Sequence, residues 1–398
     1  NGSILDPFDT ISSAITAAAT RIVVPKNAIA DINDGNIVTI DDGINPPLTL
    51  TFGAAGLDRI DISAATTPED VAATIAAAIN SAKSGGRLSA GVTVSQSGRV
   101  VQLSNIDTLD VENTPALLAA PNLIRIVGNG GLDGDLSTFN DNTPYLVGEN
   151  NSGVALRDGL DLMVPQGATL MIDAGALIKL RKANIDIGTS SIGISRAGSA
   201  IQVLGTPVNP VYLRSYHNDA FGGDSDGIGT PASGDFGGIV LREDSDLEDR
   251  GIFLSYINHA DINNGGGRVA VNSQPLTFTS IHIVDARPTL SFNHISNSQN
   301  AAISASPDSF DDSLNRIGPD IYGNYLADNR IDGLFVRVEI ASGSVIDRLD
   351  VPGRFDDVDI PHVLTQSLII AGNPGGPFIN AVGARDARAA GRLMIDPG

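Results

Sequence analysis

The residues best placed to do chemistry are aspartates. The stretch HNDAFGGDSDGIG puts Asp219, Asp224 and Asp226 in one glycine-rich loop, with Asp235 just ahead of Gly237-Gly238. Carboxylates on a flexible loop are hard oxygen donors of the kind Ca2+ gathers, at about six to eight ligands per ion. The loop is not an EF-hand, because its fifth position would be Ile228 and the closing glutamate is missing. The same residues read equally as a solvated acidic turn. DINDGN at 31–36 and GLDGDLSTFNDN at 131–142 are candidates of the same kind.

Acid–base catalysis finds less to work with. Asp311-Asp312 and Asp356-Asp357 are adjacent pairs, but a glycosidase needs two carboxylates at a controlled separation, and acidic pairs in an acidic chain usually sit in solvated loops. The five histidines occur as YHN (His217), NHA (His259), IHI (His282), NHI (His294) and PHV (His362). His282 lies in an apolar strand and reads as a core or ladder residue. His259 and His294 follow Asn in coil-like sequence and read as turn residues. Lyase chemistry needs a basic residue beside a calcium-bound uronate; Lys179, Arg181 and Lys182 are the densest basic cluster, yet they read equally as a solvated face. Gly128 to Gly134 lacks the lysine of a phosphate-binding loop.

Composition narrows the classes further. The chain has 398 residues with 25 basic and 46 acidic side chains, a formal charge of −21 that repels phosphate backbones and argues against nucleic acid as a partner. With no cysteine, thiolate catalysis, disulfides and zinc–thiolate sites are excluded. No apolar run approaches the ~18 residues of a membrane span. The chain starts at Asn1 without an export signal, as expected for a processed or excised piece of something longer, and acidity without cysteine suits an extracellular setting rich in calcium as well as a cytoplasmic one.

Two kinds of element would position these groups. Residues 1–130 read as a small α+β module. Ile37–Ile40 and Leu48–Phe52 flank a hairpin turn at Asp41-Asp42-Gly43. Thr67 caps a helix with Pro68 first and Asp70 in its first turn, ended by Gly85-Gly86. A second hairpin turns at Ser97-Gly98. Residues 131–145 form a linker. From 146 to 398 the pattern becomes short aliphatic strands between Gly, Asn and Asp, from Leu160–Val164 through Ile239–Leu241. SFNHISNSQNAAISA at 291–305 lies over YGNYLADNRIDGLFV at 322–336, matching Asn293 with Asn324, Ile295 with Leu326, Asn297 with Asp328, Ala302 with Gly333 and Ile303 with Leu334. That repeat predicts a stacked solenoid with asparagines bonded from coil to coil. ATLMIDAGALIKL at 168–180 is echoed by GRLMIDPG at 391–398, so the last coil reads as unfinished, an edge that invites another strand.

The segments LMVPQGATLMIDAGALIKLRKANIDIG, IQVLGTPVNPVYLRSYHNDAFGGDSDGIG and GDFGGIVLREDSDLEDRGIFLSYINHADI resemble large secreted planctomycete-type surface proteins with a pectin-lyase-like right-handed parallel β-helix. The resemblance covers about 145–398, and the N-terminal unit resembles a hairpin–helix module of the same giant proteins. It implies a mainly β fold, a right-handed parallel β-helix after a small α+β module, secretion, and surface attachment, matrix or fibre building. With the glycine-punctuated strand repeat, the lack of a catalytic constellation and the unfinished last coil, the expected role is an extracellular, non-enzymatic structural one as a surface stalk, adhesin or fibre subunit. The expected partners are further copies stacked end to end, or continuation in a longer precursor, with surface polysaccharide as a further contact. Ca2+ at Asp219, Asp224, Asp226 and Asp235 is the expected cofactor, and no catalytic residue is expected. The alternative is a carbohydrate-binding or carbohydrate-cleaving β-helix.

Overall fold

The computed structural model describes residues 10–11, 14, 21–24, 29, 32–104, 106, 108–111, 122–126, 144–190, 196–227, 229–248, 251–338, 347–372, 378–379, 385–386 and 391–397. The candidate at 131–142, and Asp31 of the 31–36 candidate, lie outside them. The chain divides into two compact units, one comprising Asn1–Ile124, Pro165–Thr169 and Ile192–Ser195, the other Arg125–Val164, Leu170–Ser191 and Arg196–Gly398.

In the first unit, Ile37–Asp41 and Leu48–Phe52 pair antiparallel, with Ile40 opposite Leu48. A 17-residue helix, α1 (Pro68–Ser84), opens on the signals its sequence carries. The Thr67 hydroxyl accepts from the Asp70 amide, and the Asp70 carboxylate accepts from the Thr67 amide. Val71, Ile75 and Ile79 recur at helical spacing and are fully buried. They share a core with Val38, Leu50, Phe52, Val101 and Leu103 from the two hairpins. The second hairpin is Thr93–Ser97 with Val100–Ser104.

The second unit is dominated by three parallel sheets. One joins Leu162–Met163, Ile185–Ile187, Ile239–Leu241, Ile281–Ile283, Ala301–Ala305, Ile331–Val336 and His362–Val363. A second runs from Ala168–Asp173 through Ala200–Leu204, Tyr256–Asn258 and Thr289–Ser291 to Asp320–Tyr322. The third joins Tyr145–Gly148, Leu177–Arg181, Val211–Ser215, Ala260–Asn263, His294–Ser296 and Tyr325–Ala327. From Ala168 to Val336 the chain visits the second, third and first sheets in that order, pass after pass. This is a mainly β architecture with long parallel sheets, the arrangement a β-helix requires.

Alternation along each strand decides what faces inward. In the first sheet Leu162, Ile185, Ile239, Ile281, Ile303 and Leu334 align in register, all at 0% exposure. Each such side chain contributes about 1.5–3 kcal/mol of burial. Such a column needs branched aliphatic residues with period-2 spacing, which is what the short runs supply.

The expected repeat appears as pairing. Ile295 lies on Leu326 and Ile303 on Leu334. Asn297 and Asp328 both adopt left-handed backbone angles, at φ 54° and 58°, which asparagine and aspartate tolerate best among non-glycine residues. Asparagines of that repeat bond from pass to pass: Asn293 Oδ1 accepts from the Ala260 amide (2.8 Å) and its Nδ2 donates to the Ile257 carbonyl and to Asn324 Oδ1 (both 2.9 Å), while Asn324 Nδ2 donates to the Leu290 carbonyl and Asn329 Nδ2 to the Ile295 carbonyl. Gly266 (φ 77°) and Gly267 make the turn ahead of the hairpin Arg268–Thr277. Their amides donate to Gly237 and Phe236, and a Cβ on Gly267 would collide with the Gly234 backbone. Glycine is therefore required there. The echo at 391–398 includes a strand, Arg392–Ile395, parallel to Pro352–Phe355.

Candidate functional site

The acidic loop joins Val211–Ser215 to Ile239–Leu241. It is shaped by its own polar side chains: Asn218 Oδ1 accepts from the Ala220 amide, Asp224 Oδ1 from the amides of Asp226 (2.9 Å) and Gly227 (2.6 Å), and Asp226 Oδ1 from Gly229 (3.0 Å). Gly222 and Gly223 supply the left-handed angles. The folded loop brings Asp219, Asp224 and Asp226 together, with one carboxylate oxygen of each lying within 4.8 Å of the others. Asp235 is not in this group. Its carboxylate accepts from the Ser215 hydroxyl (2.5 Å) and the Ala232 amide (2.8 Å), and its carbonyl takes the Lys182 amide.

Lys179 underlies the loop. Sequence left its exposure open; it is buried at 0% exposure, its Nζ donating to the Gly223 carbonyl (2.6 Å) and Ser225 Oγ (2.8 Å). Burial pulls its ammonium pKa down, opposed by the charges of Asp219, Asp224 and Asp226. Arg181 donates to the carbonyls of Glu149 and Asn150 and to His217 Nε2, while His217 Nδ1 meets Asp226. The Tyr216 hydroxyl donates to the Ser225 carbonyl. Asn150, Asn151, Ser152, Tyr216 and residues 224–227 line an open cleft of about 420 Å³. Three hard oxygen donors fit a divalent ion in type, but the buried lysine already supplies counter-charge from beneath, so an ion there would compete with it.

The other titratable groups are engaged in bonds between passes. Asp186, on the outer face of the first sheet, accepts from Arg242 (2.7 Å); burial raises its pKa and Arg242 opposes the rise. Burial also lifts Asp161 to about 7, the charge of Asp186 adding to it. Arg287 donates to both carboxylate oxygens' sides of Glu248, through its amide (2.7 Å) and Nε (3.0 Å). His282 is buried as expected, near Thr279, Ser304 and Arg337, and burial holds its pKa well below the ordinary imidazole value. His259 occupies a turn at φ 48°, whereas His294 lies within a strand, its ring between Asp261 and Tyr325. In the acidic pairs, Asp311 lies beside Arg287, and Asp357 is covered rather than solvated, its Oδ1 accepting from the Ile321 amide (2.8 Å). Burial lifts Asp357 to about 7.

Sequence reasoning named Lys179 but missed its burial under the acidic loop, and missed the bidentate pair of Arg214 with Asp261. The run Ala-Leu-Ile-Lys-Leu, apolar on both faces, was the available signal for the lysine. Comparison with protein families, curated proteins and solved structures returns no match for this chain.

Proposed function

We propose that the chain is a non-enzymatic structural protein of the cell exterior: a right-handed parallel β-helix following a small α+β module, serving as a surface stalk, adhesin or fibre subunit. The observation that carries the reading is where the reactive groups are spent. Lys179, Asp186 and His282 are buried and Glu248 is partly buried, and each meets groups from another pass of the chain or its connecting loop. Such cross-links stiffen a stack. The resemblance to planctomycete-type surface proteins points the same way. Incubation with neutral and acidic polysaccharides, with and without calcium, is expected to release neither reducing sugar nor unsaturated uronate, and microscopy is expected to show rods or fibres. Sugar release lost on removing a buried carboxylate would overturn the reading.

A carbohydrate-binding role is the second reading. Phe292, Tyr322 and Tyr325 are exposed aromatic residues on neighbouring passes, with His259 stacked on Phe292 at 5.3 Å and His294 tilted against Tyr325 at 5.2 Å. Rings of this kind offer apolar surface beside polar groups. The reading extends Ca2+ to Asp219, Asp224 and Asp226, with Asp235 outside the set. Chelator is expected to lower the melting temperature, and Asp224→Ala with Asp226→Ala to remove that sensitivity. An unchanged melting curve in chelator would eliminate the ion.

A further inference from the structure

Among the described residues the first sheet runs one strand further than the other two, and only the second has its last strand capped by side chains. In the first sheet, His362–Val363 lies on Leu334 and Phe335, and the Leu334 amide donates to the Pro361 carbonyl. In the second, the outward amides of Ile321 and Gly323 donate to the carboxylates of Asp357 (2.8 Å) and Asp359 (2.7 Å). Only residue 360 separates Asp359 from Pro361, so this pass goes from the second sheet to the first without contributing a strand to the third. Tyr325–Ala327 is left as that sheet's terminal strand.

Burial records the gap. Leu213, Ile262 and Ile295 occupy the inward column at 1%, 0% and 0% exposure, while Leu326, next in register, is only partly buried. Ile321 and Leu334, the inward residues of the same pass under Asp357 and His362, stay at 1% and 0%. The Tyr325 amide donates back to Asn293, so by strand alternation the Leu326 amide and carbonyl face the gap, where the amide meets no acceptor among the described residues. Tyr325 is 65% exposed.

We propose that this notch binds one extended peptide strand, in parallel pairing with Tyr325–Ala327, and that the strand is basic. Adding a strand to a bare sheet edge is an established mode of peptide recognition. The charge follows from the surroundings: Asp328 and Asp332, just after the strand, and Asp359, on the Gly323 amide just before it, are exposed, and among the described residues of 320–338 that are exposed Arg330 is the basic one. An apolar side chain would complete the Leu326 column while flanking lysines or arginines meet the carboxylates. A second copy of this chain, at −21, is the electrostatically poorer occupant. The opposite edge of the sheet is also closed to such stacking, because the Leu156 and Asp158 amides and the Asp158 carboxylate already bond Tyr145–Gly148. The inference rests on the notch and not on an extracellular role, so each can fail without the other.

The test is fluorescence anisotropy with a labelled peptide Lys-Tyr-Leu-Lys-Asn, and with the same peptide N-methylated at its Tyr and second Lys amides, the two that would donate to the edge. Saturable binding is expected, at least tenfold weaker for the methylated probe. Leu326→Pro removes the outward amide, a change that an edge strand tolerates, while keeping an apolar though smaller side chain in the inward column, and is expected to weaken binding to the same degree. Asp328→Asn keeps the left-handed turn, as Asn297 does one pass earlier, and is expected to weaken binding two- to threefold with a shallower salt dependence. Equal affinity for both peptides would reduce the effect to charge attraction and overturn the proposal. So would the absence of saturable binding, or a concentration-dependent dimer that Leu326→Pro abolishes. If Leu326→Pro does not fold, the two probes decide alone.

Discussion

Asn293→Ala tests the bonding between passes at a buried side chain that links three of them. Asn293 is 1% exposed and satisfies two backbone groups of the preceding pass, the Ala260 amide and the Ile257 carbonyl, besides Asn324 Oδ1 on the following one. Alanine strands the Ala260 amide away from water and takes one of two donors from the Ile257 carbonyl, which by ladder register keeps the Ser291 amide, whereas Asn324 Oδ1 keeps the Asn293 backbone amide at 3.0 Å. A buried orphan costs about 1–3 kcal/mol and a lost bond about 1 kcal/mol, giving a destabilisation of about 3 kcal/mol. Asn324→Ala removes a similar set of bonds on the last pass of the third sheet, where Asn324 is half-buried and water can substitute; about 1 kcal/mol is expected there. Amide hydrogen exchange at Ala260 is the appropriate assay because it reads local opening without assuming two-state unfolding. At 1.4 kcal/mol per factor of ten, Asn293→Ala should speed Ala260 exchange about a hundredfold, and Asn324→Ala should change it less than tenfold. Equal effects from the two variants, or an unchanged Ala260 amide in Asn293→Ala, would refute the reasoning.

Lys179→Met should leave overall stability within about 1 kcal/mol, since losing two charge-assisted bonds is offset by no longer burying an ammonium. It should also free the loop under which Nζ sits, so limited proteolysis near Phe221 should accelerate; an unchanged digestion pattern would show that the lysine does not pin the loop. Asp161 carries a native pKa of about 7 against 3.8 for the unconstrained group, so the native state binds more protons between those values and stability falls as pH rises through that window. Ionisation there costs up to about 4 kcal/mol. Asp161→Asn, which can still accept the Asn184 amide, should therefore flatten the decline in unfolding free energy between pH 4 and 7, and parallel curves for the two proteins would remove Asp161 as a cause.

What could be read from the sequence was local and periodic. Thr67, Pro68 and Asp70 announce a helix start because a capping box needs only nearest neighbours. The overlay of 291–305 on 322–336 gave the pairing register because each pass buries the same column of aliphatic residues. Three members of the predicted metal set converge because one short loop holds them; Asp235 departs because the chain, having left that loop, turns back to bond Ser215. Lys179 was hidden because its burial depends on a loop some 45 residues later folding over it. The caps at Asp357 and Asp359 were hidden for the same reason: an aspartate that covers an edge looks, in sequence, like one in a solvated loop. His294 was misplaced by one element, since a turn and a strand start are a single residue apart in so short a pass.

The central claim is that successive passes lie one on another in fixed parallel register. The chain contains no cysteine, so two introduced thiols are the only pair that can bond. Asn263 and Ser296 face each other on adjacent strands, with Asn263 Nδ2 2.8 Å from Ser296 Oγ, and parallel strands ~4.8 Å apart suit a disulfide. Mild oxidation of Asn263→Cys with Ser296→Cys should give a quantitative intramolecular cross-link, whereas Asn263→Cys with Ile295→Cys, one residue out of register and on opposite faces, should give none. Cross-linking of both pairs alike, or only of the second, would contradict the stacking on which the rest is built.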